Sequence, residues 1–148
     1  LVWGDPALFD STIGILDDID GVAFTYTVIP GISSVSALAA RHRIGLNRVG
    51  RAVQITTGRR LAAEGMPTDV DDLVVMLDSR NAYREVEGDV DIYWGAYLGT
   101  PDEILRAGRL ADVKDEIDGV RAAARARKGW IMDTYLLRRP RTLGPGPA

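Results

Sequence analysis

The sequence predicts an α/β protein made of two lobes. Its first part alternates strand-like and helix-like segments, which favours a parallel sheet with helical crossovers. Its second part is richer in strands and carries one long amphipathic helix, which indicates a separate mixed α/β lobe. We place the C-terminal part of the first α/β domain at residues 1–44, the second α/β domain at 45–138 and a disordered tail at 139–148.

The first lobe is predicted as strand, helix, strand and helix, in that order. Leu1–Trp3 has the composition of a buried strand end, residues 10–12 suit a helix N-terminus, and Gly21 ends that helix. Ala23–Ile29 is rich in β-branched and aromatic residues and predicts a second strand. Ser33 or Ser34 then caps a helix whose buried side includes Val35, Leu38 and His42, with a structural role favoured for the histidine.

The second lobe is predicted to follow a hinge at residues 44–51. Its helices are Gly58–Glu64 and a longer one from Leu110 to about Arg127, which Gly129 ends. Its strands are Ala52–Thr57, Leu73–Leu77, Asp91–Leu98, Glu103–Ala107 and Trp130–Leu137.

Composition narrows the function classes. The 148 residues carry a net charge of -3, which gives no general nucleic-acid footprint, and no apolar run is long enough to span a membrane. There is no cysteine and one histidine, so we expect no disulfide, no catalytic triad and no metal site. A cytoplasmic setting is the default expectation.

Two loops have the character of ligand sites. Gly4-Asp5-Pro6 follows the first predicted strand, and Pro30-Gly31-Ile32-Ser33-Ser34 follows the second. Ligands of open α/β sheets bind outside the carboxyl ends of the strands, and glycine lets a backbone approach a ligand closely. Each loop alone is more simply interpreted as a turn with a helix cap, but both would open at the same sheet edge.

The order of these segments resembles the tetrapyrrole methylase family. The matching pieces are Gly4-Asp5-Pro6, Val28–Ser34 with its alanine-rich helix, Asp72–Leu77 and Leu98–Glu103. Further likeness to corrin-ring enzymes lies in residues 39–44, 55–61, 94–101 and 129–135. The resemblance implies the class III S-adenosylmethionine methyltransferase fold, with two α/β lobes and a homodimer. Nothing here matches the family's first strand and glycine-rich loop, so we expect the N-terminal lobe to be incomplete.

The resemblance also implies an activity: methyl transfer from S-adenosylmethionine to a ring carbon of precorrin-5, with loss of an acetyl fragment as acetate and S-adenosylhomocysteine as product. The residues that would contact the cofactor are Trp3, Gly4, Asp5, Pro6, Leu8, Ser33, Ser34, Met76, Leu98 and Met132. The residues that would hold the tetrapyrrole and its carboxylates are Arg41, Arg59, Arg60 and Tyr97. Asp5, Tyr97 and Asp133 are candidate bases for the acetate release, with none assigned.

Several alternatives stay open at this stage. The chain could be another family member, such as a different precorrin methylase or diphthine synthase. It could also be a non-catalytic cofactor-binding and dimerisation module. The arginines favour a solvated basic face when taken alone, and aromatic residues in strands are more often core. A nucleotide-dependent oxidoreductase is disfavoured because no glycine-rich dinucleotide fingerprint is present.

Overall fold

The structure is a computed structural model that describes residues 3–140. Five strands form one sheet, with helices on both of its faces. The helices are α1 (Thr12–Asp17), α2 (Ser34–His42), α3 (Gly58–Glu64), α4 (Leu110–Lys128) and a 3₁₀ helix (Ala82–Glu85). The strands are β1 (Val53–Thr57), β2 (Asp72–Met76), β3 (Asp91–Ala96), β4 (Ile104–Arg109) and β5 (Asp133–Arg138).

The sheet has the strand order β1-β2-β5-β3-β4. Strands β1 and β2 are parallel, and every other neighbouring pair is antiparallel. The register sets Met76 at the end of β2 opposite Thr134, and Ala96 at the end of β3 opposite Asp133. The last residues of β1, β2 and β3 and the first residues of β4 and β5 therefore lie at the same end of the sheet, and we call this end the sheet edge below.

The core has two apolar clusters, one on each face of the sheet. Alternate residues of a strand point to opposite faces, so Val75 belongs to one cluster and Val74 to the other. The larger cluster includes residues of α3, α4 and the 3₁₀ helix, and the smaller includes Val35 and Leu38 of α2. Strand β2 is buried on both faces, as its nearly continuous apolar sequence indicates.

Helix α2 confirms the second predicted helix and its buried side. The Ser33 side chain accepts a hydrogen bond from the Ser36 N–H at 3.2 Å, which caps the helix. Arg43 ends it with a left-handed φ of 56°. The His42 Nε2 lies 3.0 Å from the Trp94 carbonyl oxygen, and its ring packs edge-on against Tyr93. His42 therefore ties α2 to the sheet, which agrees with the structural role favoured for it.

The prediction for residues 9–32 was wrong in part. Helix α1 stops at Asp17 instead of continuing to Gly21, and it buries no side chain. Ala23–Ile29, predicted as a strand, has no regular secondary structure. A strand needs a neighbour for its backbone N–H and C=O groups, and none of the described residues pairs with this segment. Local β-propensity was therefore insufficient here.

The last strand also starts later than predicted. Strand β5 begins at Asp133 instead of Trp130, because its neighbour β3 ends at Ala96, the partner of Asp133. Arg139, included above in a disordered tail, instead donates hydrogen bonds to the carbonyl oxygens of Pro67, Thr68 and Val70. Residues 141–148 of that tail lie outside the described residues, and the division of the chain at residues 44 and 45 stays a prediction.

Candidate functional site

The two loops singled out in the sequence are in direct contact. The Asp5 carboxylate accepts hydrogen bonds from the Ala7 N–H at 2.8 Å and the Gly31 N–H at 2.9 Å. A Cβ added to Gly31 would overlap the Gly4 carbonyl oxygen, so only glycine permits this approach. Asp5 therefore acts here as the bridge between the loops, with both carboxylate oxygens engaged by backbone.

The second loop is hydrogen-bonded to the end of the sheet where β1, β2 and β3 finish and β5 begins. The Thr134 hydroxyl, near the start of β5, donates to the Ser34 Oγ at 3.1 Å. Leu8, Met76 and Leu98 are partly buried together in the smaller apolar cluster, under α2. The structure thus brings three of the predicted apolar cofactor residues close to the predicted serines.

An aromatic group lies at the same edge. The Trp3 and Trp130 rings meet edge-on with centroids 5.7 Å apart, and Tyr97 meets Trp130 at 5.1 Å. The Tyr97 hydroxyl donates to the Trp130 carbonyl oxygen at 2.6 Å, and the Tyr97 N–H donates to the Met132 carbonyl oxygen. Tyr97 is buried and has a strained φ of 51°. It therefore positions the loop before β5, and its hydroxyl faces away from solvent.

Two neighbouring cavities open at this edge. Their volumes are about 550 Å³ and about 390 Å³, within the range of small-molecule sites. Both are lined by residues 77–79, the turn after β2. The first cavity is also lined by Thr57, Gly58, Arg59, Ala62 and Arg80. The second is also lined by Arg121, Arg125, Gly129, Trp130, Ile131, Met132 and Asp133.

A buried polar network forms the floor of the second cavity. Asp133 accepts hydrogen bonds from the Trp94 indole N–H and the Arg121 Nε, each at 2.9 Å. Arg121 also donates to the Asp78 carbonyl oxygen at 2.6 Å, and the Tyr135 hydroxyl donates to the Asp78 carboxylate at 2.7 Å. Burial raises the pKa of Asp133, although the bonds from Arg121 and Trp94 oppose that rise.

The three candidate bases are all engaged inside the protein. Asp5 accepts backbone N–H groups, Tyr97 donates to a carbonyl oxygen, and Asp133 is paired with Arg121. Each of them therefore has a hydrogen-bond partner within the protein, and no unpaired atom distinguishes one of the three as the base. The assignment of a base for acetate release therefore stays open.

The predicted substrate arginines differ in their surroundings. Arg41 pairs with Glu103 at 2.6 Å, and Arg60 pairs with Glu64 one helical turn later at 2.8 Å. Of the three, Arg59 lines a cavity. The substrate roles of all three arginines stay predictions, and Arg59 is the one of them that lies against a cavity.

Sequence reasoning missed the turn of residues 77–80 and the buried Arg121. Asp78 directly follows a predicted strand, which is the position where ligand-site residues are expected in α/β sheets. Arg121 lies four residues after Ile117 and three before Ala124, so it interrupts the apolar face of α4. A charged residue on a predicted buried face was a usable signal of a buried ion pair.

The described residues include no helix long and apolar enough to cross a membrane.

Sequence comparisons match this chain to known proteins. The family model described as Tetrapyrrole (Corrin/Porphyrin) Methylases matches residues 1–114 of this chain. A precorrin-6A synthase [deacetylating] from Sinorhizobium sp is 59% identical over 143 residues, covering 94% of this chain and 54% of that protein. The chain thus spans about half the length of this curated relative.

Solved structures agree with the fold. The cobalamin synthesis related protein CobF from Corynebacterium diphtheriae is 40% identical, with a TM-score of 0.86, covering 94% of this chain and 60% of that one. The uroporphyrin-III-C-methyltransferase from Thermus thermophilus is 22% identical with a TM-score of 0.64, covering 92% of this chain and 61% of that one, and it supports the fold alone. With more than half of its residues matched by the family model, the chain belongs to the tetrapyrrole methylase family.

Proposed function

We propose that this chain functions as an S-adenosylmethionine-dependent C-methyltransferase of cobalamin biosynthesis. The reaction converts precorrin-5 to precorrin-6A with release of acetate. The observation that carries the proposal is the 59% identity to a deacetylating precorrin-6A synthase across almost the whole chain. The two joined loops and the paired cavities supply a suitable site at one sheet edge.

The proposed cofactor, S-adenosylmethionine, would bind in the second cavity. This cavity combines exposed apolar side chains, Trp130 and Met132, with the polar backbone of the Leu77–Ser79 turn. A nucleoside with an amino-acid arm needs that mixture of surfaces. When bound, it supplies a methyl group on an activated sulfonium. Of the predicted cofactor residues, Met132 lines this cavity and Trp3 contacts its Trp130. The others lie outside its lining, and their contact with the cofactor stays a prediction: Gly4, Asp5, Pro6, Leu8, Ser33, Ser34, Met76 and Leu98.

The role of the protein residues in this reaction is mainly alignment. The reaction needs the nucleophilic ring carbon held in line with the methyl group, and rigid positioning contributes several kcal/mol to such steps. Hydrogen bonds join the two loops through Asp5 and join Asp133 to Arg121 and Trp94, and the Tyr97 hydroxyl donates to the Trp130 carbonyl oxygen. We infer that these contacts hold the site in one arrangement before the ligands bind.

A homodimer and a cytoplasmic location are further proposals. Both rest on the family resemblance, and the homodimer is also compatible with exposed apolar side chains in residues 9–32.

The first test is a calorimetric titration of the chain with S-adenosylhomocysteine. We expect saturable one-to-one binding that Met132→Glu weakens at least tenfold, because it introduces a charge into the second cavity. Val49→Glu is the matched control, since Val49 is fully exposed and lines neither cavity. Absence of binding to the folded wild-type chain would contradict the cofactor assignment.

The second test measures turnover of the substrate. Incubation with S-adenosylmethionine and precorrin-5 should yield precorrin-6A and acetate in equal amounts, measured by mass spectrometry. The competing candidate is a module that binds the cofactor without turnover. Binding of S-adenosylhomocysteine without formation of acetate would support that candidate.

A further inference from the structure

The arginines of the described chain are mostly paired. Within residues 3–140, the exceptions with neither an ion pair nor a side-chain hydrogen bond are Arg43, Arg59, Arg80 and Arg125. Arg59 and Arg80 line the first cavity, and Arg125 lines the second. The unpaired cations are therefore concentrated around the candidate site.

The two arginines of the first cavity are positioned by one residue, Asp78. Its Oδ1 accepts a hydrogen bond from the Arg80 N–H at 2.9 Å. Its side chain also packs against Gly58, where an added Cβ would lie 2.5 Å from the Asp78 Cβ. Gly58 directly precedes Arg59 at the start of α3. Asp78 therefore contacts the backbone at or next to each of the two arginines.

The charge presented to the first cavity is positive. Asp78 is the acidic residue of its lining, and its two carboxylate oxygens already accept bonds from Arg80, Ala82 and Tyr135. Between the arginines and the second cavity lies Leu77, which is 62% exposed and has a left-handed φ of 53°. The cavity therefore combines two free cations with an exposed apolar side chain.

We infer that Arg59 and Arg80 bind carboxylate side chains of the tetrapyrrole substrate, with Leu77 against the face of its ring. The inference rests on the proposed function, because the tetrapyrrole of that reaction is a broad ring with carboxylate arms, which suits two cations beside an exposed apolar side chain. Guanidinium groups bind carboxylates through paired, charge-assisted hydrogen bonds. Arg80 is a substrate-positioning residue that the sequence alone did not indicate.

The test uses uroporphyrin III, a stable planar polycarboxylate, titrated into the full chain and followed by its fluorescence. We expect Arg59→Gln and Arg80→Gln each to weaken binding about tenfold, and the double variant to weaken it further. Arg80→Lys should restore part of the loss. Raising the salt concentration should weaken binding to the wild type more than to the double variant.

The charge-matched control is Arg109→Gln. Arg109 pairs with Asp89 and Asp91 at the opposite end of the sheet, and its loss should leave porphyrin binding unchanged. A loss equal to that of the cavity variants would overturn the inference, as would wild-type affinity in the double variant or no porphyrin binding to the wild type. S-adenosylhomocysteine affinity, measured in every variant, should stay unchanged. If the wild-type chain does not bind S-adenosylhomocysteine, the proposed function is contradicted. The porphyrin titration still decides the role of the arginines in that case.

Discussion

Strand β2 and the segment Ala23–Ile29 were predicted from the same kind of sequence, and they differ completely in the structure. Both are rich in β-branched residues. Strand β2 lies between β1 and β5 and is buried on both faces. Ala23–Ile29 has no strand neighbour among the described residues, and its side chains are exposed.

This difference shows what β-propensity measures. A β-branched residue suits a pleated surface that other residues cover, but it does not create that surface. The backbone of β2 finds its partners in segments that the described chain contains, and that of Ala23–Ile29 does not. Three pairs of variants extend this comparison, because in each pair one residue has partners distant in the chain and the other is exposed.

The largest effect is expected in the strand-rich region, from Arg121→Met. This change leaves Asp133 buried without its cation, which should lower the free energy of unfolding by about 3–5 kcal/mol, measured by urea denaturation. Arg125→Met is the control, because Arg125 lies one turn later on α4 with no ion pair within residues 3–140. It should change stability by less than about 0.5 kcal/mol. Equal losses in the two variants would mean that the buried pair is not what stabilises this region.

An intermediate effect is expected from Leu38→Ala. Leu38 is 0% exposed between α2 and the sheet, so its truncation should cost about 2–5 kcal/mol through lost burial and a residual cavity. Ile15→Ala makes a comparable truncation on α1, where Ile15 is 59% exposed, and should cost less than about 0.5 kcal/mol. A large loss from Ile15→Ala would show that residues 9–32 are packed in solution.

The smallest effect is expected from Gly31→Ala. The new Cβ would separate the two loops and break the hydrogen bond from the Gly31 N–H to Asp5, a loss of about 1 kcal/mol. Amide chemical shifts at residues 5–8 and 31 should move. Gly14→Ala is the control, since nothing lies within 4 Å of its added Cβ and helix α1 would gain slightly. Unchanged shifts in Gly31→Ala would disprove the contact between the loops.

The candidate site was predictable where its residues adjoin local signals. The loops at residues 4–6 and 30–34 were identified from glycine, proline and capping residues, and the structure joins them through Asp5. The pairing of Arg41 with Glu103 was not predictable, because these residues are 62 positions apart in the chain. The same holds for Arg121 and Asp133, whose pairing depends on how α4 packs on the sheet. The roles proposed for these residues in binding stay predictions.

Local sequence signals were enough to predict the helices α2, α3 and α4 and the approximate positions of all five strands. Those elements follow from caps, glycine stops and apolar periodicity, which act over a few residues. Three features could not be predicted in this way: which strand-like segment pairs, where β5 begins, and which arginines of residues 3–140 form ion pairs. These outcomes depend on partners distant in the chain, because hydrogen bonds and ion pairs form with whatever group the fold brings within reach.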